Sequence, residues 1–187
     1  MLSFAVFLIT SFSAAPVPEQ IHLALTETSG TMRVTWVTML LHDCAGNVEY
    51  SITPDSSPEK PPATVAGSNY TYAGDSFAGT LHTAVMTGIP SGATVSYTVV
   101  SCAGERSPMY AFNFNPDPAS GTLNFMAYGD MGVKNSVGTV AMANREAATG
   151  AYHLFVNVGD TSYADDDGPH GSNGYIFDEH FRNIEGE

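Results

Sequence analysis

Two short apolar segments, each ending in the dipeptide Gly-Asp, constrain the fold of this chain most strongly. The first, Leu123–Tyr128, leads through a glycine to Asp130, and the second, His153–Val158, leads through a glycine to Asp160. Between them, Ser136–Thr149 is rich in alanine and contains no proline, as is typical of a helix. A strand, a helix and a strand within about 35 residues predict a βαβ unit with a parallel sheet.

The two aspartates follow directly from this topology. In a right-handed βαβ unit the carboxyl ends of both strands lie at one edge of the sheet, where open α/β sheets bind ligands. We therefore expect Asp130 and Asp160 to share a crevice, and the preceding glycines let the backbone turn sharply there. Two carboxylates held close together repel each other unless a cation or a proton lies between them. The pattern predicts a metal site.

The region from Pro16 to Asn115 has a different pattern. Met32–Thr38 alternates apolar and polar residues, which is the period of a half-buried strand. Similar runs recur at Gln20–Leu25, Asn47–Ile52, Thr80–Ile89, Thr94–Ser101 and Met109–Phe114. These six runs over about 100 residues come close to the about seven short strands of an immunoglobulin-like β-sandwich, so they predict that fold, with Trp36 in its core.

The expected organisation is therefore all-β plus α/β. A sandwich over residues 16–115 is followed by a Pro-, Gly- and Ser-rich linker at 116–121 and by an α/β part at 122–187. Residues 1–15 are expected to be a secretory signal peptide, because Met1–Ser13 is apolar and uncharged but shorter than the about 20 residues that span a bilayer. The alternative for this segment is a buried first strand.

Two further features are consistent with export. Asn69 begins the sequence Asn-Tyr-Thr, a candidate glycosylation site. The only cysteines, Cys44 and Cys102, form one disulfide or remain as two buried thiols. In the predicted sandwich Cys44 comes just before one strand and Cys102 just after its antiparallel neighbour, so their backbones should be close enough for a bridge.

Net charge excludes one class of partner. The formal charge is −13, from six Lys plus Arg against nineteen Asp plus Glu, so a basic surface for nucleic acid is not expected.

The sequence also contains no Gly-x-Ser-x-Gly nucleophile elbow and no phosphate-binding glycine loop with a lysine. After removal of a signal peptide, no segment is long and apolar enough to predict a membrane span.

The residues around the two aspartates are more specific than the topology. They read Gly129-Asp130-Met131-Gly132 and Gly159-Asp160-Thr161-Ser162-Tyr163. These resemble the first two metal-binding blocks of the metallophosphoesterases, and Tyr163 is typical of the purple acid phosphatase branch. Larger members of that family carry an N-terminal fibronectin type III-like domain, which corresponds to 16–115. The resemblance extends to the end of the chain, where Phe177–Phe181 is also similar.

The resemblance implies a site and an activity. Asp130 would be a terminal ligand of Fe(III), Asp160 would bridge it to a divalent Zn, Fe or Mn ion, and Tyr163 would bind iron as a phenolate. The implied reaction is hydrolysis of phosphate monoesters at acid pH by a calcineurin-like metallophosphoesterase domain. The implied location is extracellular, with a vacuole or lysosome as alternatives. A homodimer is left open.

Part of the family's ligand set does not occur in this sequence. An Asn-His block and two later histidine blocks are absent before Glu187, so we expect the chain alone to be inactive, with no catalytic residue beyond the metal ligands. His170 and Asp165–Asp167 are interpreted as surface loop residues, with the rim of the site as the alternative. Two other functions stay open: a related diesterase or nucleotidase that shares the aspartates, and a β-sandwich that only binds a partner.

Overall fold

The computed structural model describes residues 17–39, 43–53, 62–71, 79–115, 121–164 and 175–185. The predicted signal peptide lies outside these ranges, and so does the linker except for Gly121. The strands and helices are β1 Glu19–Leu25, β2 Met32–Thr38, β3 Asn47–Thr53, β4 Ala63–Ala66, β5 Ser68–Tyr70, β6 Thr80–Met86, β7 Ala93–Val100, β8 Tyr110–Phe114, β9 Phe125–Tyr128, β10 Met131–Gly132, α1 Val137–Ala147, β11 Leu154–Asn157, β12 Thr161–Ser162 and α2 Tyr175–Asn183.

The first eight strands form two antiparallel sheets around one core. Their orders are β1-β2-β6-β5 and β4-β3-β7-β8. Alternate residues of β7 are buried, which is the pattern of a strand with one face toward a core. Trp36 is 1% exposed in this core, which both sheets contribute to, so its predicted position is confirmed. The prediction that this region is built from β-strands is also confirmed.

Two details of the strand pattern differ from the prediction. The strand expected at 80–89 ends at Met86, because the backbone turns at Gly88, whose φ is 71°, ahead of Pro90. The short strands β4 and β5 were not predicted, since four and three residues are too few to show a clear period. β5 is paired with β6 alone and therefore forms one edge of its sheet.

Cys44 and Cys102 form a disulfide. Their Cα atoms are 5.9 Å apart, and the bridge joins residues 58 positions apart in the sequence. β3 pairs with β7 over the whole length of β3, starting from Asn47 opposite Val100, so the two cysteines lie just outside the same end of that ladder.

The second part of the chain begins with a parallel strand pair. β9 and β11 pair in register from Phe125 opposite Leu154 to Tyr128 opposite Asn157, with α1 between them in the sequence. A second parallel pair, β10 with β12, continues past the two strand ends. α1 stops two residues before the predicted end, and the chain then turns through Gly150, whose φ is 66°.

Helix α2 packs against the sandwich. Alternate residues are buried on it, namely Ile176, Asp178 and His180. The buried side-chain amide of Gln20 in β1 donates to Oδ1 of Asp178 across 3.0 Å. Gln20 has a φ of 56° at an irregularity in the β1–β2 ladder, which turns its side chain and its N–H toward the helix.

Glu185, just after α2, completes this contact. Its carboxylate accepts from the backbone N–H of Gln20 at 2.8 Å and from the hydroxyl of Tyr110 in β8 at 2.7 Å. We call the contacts among Gln20, Tyr110, Asp178 and Glu185 the α2 clasp. Beside it, Arg182 donates to Glu19 at 2.6 Å in an exposed ion pair.

Two histidines are enclosed at this interface. The ring of His22 lies edge-on to Phe181 with centroids 4.9 Å apart, and its Nδ1 donates to the carbonyl oxygen of Gln20 at 2.7 Å. Burial lowers the pKa of His22 below its ordinary value. Burial, together with the nearby His22, also lowers the pKa of His180.

Among the described residues no helix is long and apolar enough to span a membrane.

Candidate metal centre

Asp130 and Asp160 occupy equivalent positions on adjacent strands. Asp130 lies between β9 and β10, and Asp160 lies between β11 and β12. Since Met131 is the Cα partner of Thr161, the residues just before them are also neighbours. The backbone N–H of Asp160 donates to Oδ1 of Asp130 at 3.1 Å, and both residues are exposed. The structure thus brings the two predicted aspartates into contact.

The glycine before each aspartate is a steric requirement. A β-carbon on Gly129 would overlap the carbonyl of Val158, and one on Gly159 would overlap the Asp130 carboxylate. Gly159 also has a φ of 126°, a conformation that side-chain-bearing residues rarely adopt. Both glycines therefore permit the close approach of the two strand ends.

Tyr163 lies one residue past β12, at the same end of the sheet. Its φ is 51° and that of Ser162 is 66°, so two successive residues turn the chain there. Cδ2 of the Tyr163 ring is 3.3 Å from the position that a β-carbon on Gly132 would occupy. Gly132, the glycine of the Asp-x-Gly block, therefore leaves the space that the tyrosine ring borders. The Tyr163 residue is 36% exposed.

Two serines near the site were not singled out in the sequence. Ser136 is buried, and its hydroxyl oxygen accepts a hydrogen bond from the backbone N–H of Gly132 at 3.0 Å, which connects the start of α1 to β10. Ser162 is 2% exposed, and its hydroxyl has no hydrogen-bond partner within the described ranges. α2 contacts β12 as well as β1, so the same helix touches the sandwich and the site strand. Serine is too common in turns for either residue to be found from one sequence.

The described side chains at this edge have the type of donor atom that a hard cation prefers, but there are too few of them for a complete site. Two carboxylates and one phenol supply oxygen atoms, which hard cations prefer. In the part of the chain that the structure describes, no group of three or more His, Cys, Asp or Glu is placed to hold a metal. Asp130, Asp160 and Tyr163 could therefore supply some of the ligands of a metal centre but not the full set.

The remaining candidates lie elsewhere. His170 and Asp165–Asp167 fall outside the described residues. Asn69 is half-buried in β5 with His82 as its Cα partner, whereas its neighbours Ser68 and Tyr70 are exposed. The described histidines all have contacts away from the aspartates: His22 and His180 at the α2 interface, His82 with Thr38, and His153 with Asn124.

Comparison with known proteins agrees with this architecture. The family model for the purple acid phosphatase N-terminal domain matches residues 18–114. The structure of the purple acid phosphatase PPD1 from seeds of yellow lupin (Lupinus luteus) matches with a TM-score of 0.68 at 15% identity, covering 91% of this chain and 34% of that protein. The chain thus corresponds in length to about a third of the lupin enzyme.

Two other comparisons add nothing to this. A structure of astrotactin-2, a vertebrate-specific perforin-like membrane protein, matches at 10% identity over 70% of this chain and 25% of that one, and its TM-score of 0.34 carries no argument. No curated protein matches the sequence. Since the matched domain spans just over half of the 187 residues, the chain belongs to the purple acid phosphatase family.

Proposed function

We propose that the protein hydrolyses phosphate monoesters at a dinuclear centre of Fe(III) and a divalent Zn, Fe or Mn ion, to which this chain contributes Asp130, Asp160 and Tyr163. The observation that carries the proposal is the contact between Asp130 and the N–H of Asp160 at the shared strand end. We further propose that the sandwich is the family's fibronectin type III-like domain and that β9, α1 and β11 begin its calcineurin-like metallophosphoesterase domain.

Each residue would have a distinct task. Asp130 keeps one carboxylate oxygen on the N–H of Asp160, so its second oxygen is the one left to face a ligand. Asp160 follows Gly159, which leaves room for this approach. Tyr163 offers a phenol, whose ordinary pKa is about 10 and which a trivalent cation would hold as phenolate. Two bound metals would hold the ester, acidify a water and stabilise the in-line transition state.

This chain alone should not turn over substrate. Among the described residues the proposed site has only the donors of Asp130, Asp160 and Tyr163, which are too few for two metal ions, and no group of three or more His, Cys, Asp or Glu is placed to hold a metal. Apolar side chains of the second part are also open to solvent, with Phe125 at 56% and Val158 at 62% exposure. Parallel sheets are normally covered on both faces, so a complete catalytic domain needs additional layers.

Export is a further part of the proposal. Disulfides persist in oxidising compartments, and the Cys44–Cys102 bridge supports secretion or a vacuolar or lysosomal location. Under that hypothesis residues 1–15 are a cleaved signal peptide and Asn69 carries a glycan. Mass spectrometry of the mature protein from its organism tests both, by the first residue present and by the mass at Asn69.

The activity test uses the whole protein as its organism makes it, assayed with p-nitrophenyl phosphate from pH 4 to 8. Asp160→Asn should lower kcat/KM by at least about 100-fold, the upper range seen for outer-shell partners of a metal. Asp43→Asn, a change at an exposed aspartate near the disulfide, should leave it unchanged. Faster hydrolysis of bis-p-nitrophenyl phosphate or of AMP would instead identify a diesterase or nucleotidase. No hydrolysis of any ester would favour a binding module.

A further inference from the structure

A groove of about 420 Å³ lies on the outer face of the β1-β2-β6-β5 sheet, and its lining includes no residue of the strand ends that carry the aspartates. Its lining includes Arg33, Thr35, Ser68, Tyr70 and Thr83. These side chains come from β2, β5 and β6 and alternate with residues that face the core, such as Val34, Trp36 and Ala84.

Sheet register arranges the polar groups in order. Thr35 is the Cα partner of Thr83, which is in turn the partner of Ser68, so three hydroxyl side chains form one row across three strands. Arg33 lies two residues to one side of this row, and Tyr70 lies two residues to the other. At about 3.3 Å per residue the arginine and the tyrosine are offset by about 13 Å along the strands.

Among the residues that the structure describes, two of these groups have no hydrogen-bond or ion-pair partner. Thr83 Oγ1 is buried and makes no hydrogen bond to any residue that the structure describes. Arg33 makes no ion pair within the described ranges, although acidic residues outnumber basic ones nineteen to six in the sequence. By contrast Arg106 and Arg182 pair with Glu49 and Glu19. A buried polar atom without a partner is expected to be satisfied by water or by a ligand. Arg33 is exposed, so its guanidinium is open to water or to a ligand.

We propose that this groove binds a neutral oligosaccharide. The 53% exposed Tyr70 offers a ring face for the apolar side of a sugar, as aromatic side chains do in ligand sites. The hydroxyls of Thr35 and Ser68 offer both donors and acceptors, and the exposed Arg33 guanidinium offers several donors at fixed angles, which suits a ligand covered with hydroxyls. A polyanionic ligand is disfavoured because the whole chain carries a formal charge of −13.

The test titrates the full chain, ¹⁵N-labelled and unglycosylated, with cellohexaose, xylohexaose and mannohexaose in separate NMR experiments. At least one sugar should shift the amide signals of Arg33, Tyr70 and Thr83 with a Kd of about 1 mM. Tyr70→Ala and Arg33→Ala should each weaken binding about tenfold, which corresponds to about 1.4 kcal/mol. The matched controls are Tyr175→Ala and Arg145→Ala, which change an exposed tyrosine and an exposed arginine outside the groove.

Three results would overturn the assignment. One is the absence of shifts at these amides with all three sugars up to about 10 mM, well above the expected Kd. Another is unchanged affinity in both groove variants while the folded spectrum is retained. A third is a response to glucose 6-phosphate or glucuronic acid but to no neutral sugar, which would make the groove an anion site. None of these outcomes depends on phosphatase activity.

Discussion

The backbone N–H of Asp160 donates to the carboxylate of Asp130 at 3.1 Å, although the two residues are 30 positions apart. The contact follows from two parallel ladders in register, β9 with β11 before the aspartates and β10 with β12 after them. Each aspartate thus has its place fixed by strands on both sides. Such fixed placement is what the proposed role of the two carboxylates as metal ligands would require.

Replacing Gly159 by alanine should disrupt this junction. A β-carbon there would overlap the Asp130 carboxylate, and the φ of 126° is unfavourable for alanine, so we expect a loss of about 1–3 kcal/mol in local stability. Hydrogen exchange at the amides of Asp160 and Thr161 measures it. Gly138→Ala in α1 is the control, because its β-carbon would meet nothing within 4 Å and alanine favours helix. Equal protection in the two variants would contradict the steric argument.

Much of the fold could be predicted because its signals are periodic. The alternation at Met32–Thr38 matches β2 residue for residue. The apolar segment after His153 corresponds to β11. The turn-forming Gly-Asp pairs follow the ends of β9 and β11. Local sequence is sufficient to place such strands, since their period or apolar run follows from the residue types alone.

The α2 clasp could not be predicted in the same way. A buried Asp178 and a buried His180 look like surface residues in the sequence, because burial of such groups depends on partners far away along the chain. The partner Gln20 is 158 positions from Asp178. Likewise the packing of Tyr163 against Gly132 depends on two left-handed residues, Ser162 and Tyr163, which no propensity indicates.

Removing the Glu185 carboxylate should release α2 from the sandwich. Glu185→Ala takes away the acceptor for both the Gln20 N–H and the Tyr110 hydroxyl, and hydrogen bonds to charged groups contribute about 1.5–3 kcal/mol each. We expect the free energy of opening of the α2 amides, measured by hydrogen exchange, to fall by about 2 kcal/mol. This is less than the sum for two such bonds, because Tyr110 is partly open to water, which can replace the lost acceptor. Glu179→Ala, at an exposed position of the same helix, should have little effect. If Glu179→Ala loosens α2 as much, the clasp is not what holds the helix.

Acidification should weaken the α2 interface. The pKa values of His22 and His180 are lowered in the folded state, so the unfolded chain binds protons more readily below the ordinary pKa of about 6.5. This stability is therefore fully present above about pH 7, and it falls as the pH drops through the unfolded pKa of about 6.5 toward the folded pKa values.

Denaturant unfolding at several pH values measures this slope. The double variant His22→Gln with His180→Gln should flatten it, whereas His153→Gln, at an exposed histidine outside the clasp, should not. Asp178 and Glu185 at the interface are unchanged in the double variant, so the parent and the variant differ only at the two histidines. An identical pH profile for the double variant and the parent would exclude the two histidines as its cause.

The disulfide should be the main covalent support of the sandwich. Changing Cys44 and Cys102 to serine opens a loop spanning 58 residues, which the chain-entropy model values at about 4 kcal/mol. The expected result is a lower denaturant midpoint with an intact β-sheet signal in circular dichroism. Chemical reduction of the parent should lower the midpoint to the same value. A loss below about 1 kcal/mol would mean that β3–β7 pairing alone fixes this end of the sandwich.

The most direct test of the account is the visible absorption of the whole iron-containing protein, as its organism makes it. We predict a charge-transfer band from tyrosinate to Fe(III) that disappears in Tyr163→Phe at unchanged iron content. It should persist in Tyr175→Phe, where the exposed tyrosine lies on α2. A band that survives Tyr163→Phe, or iron-loaded protein without such a band, would contradict the assignment of Asp130, Asp160 and Tyr163 to the metal centre.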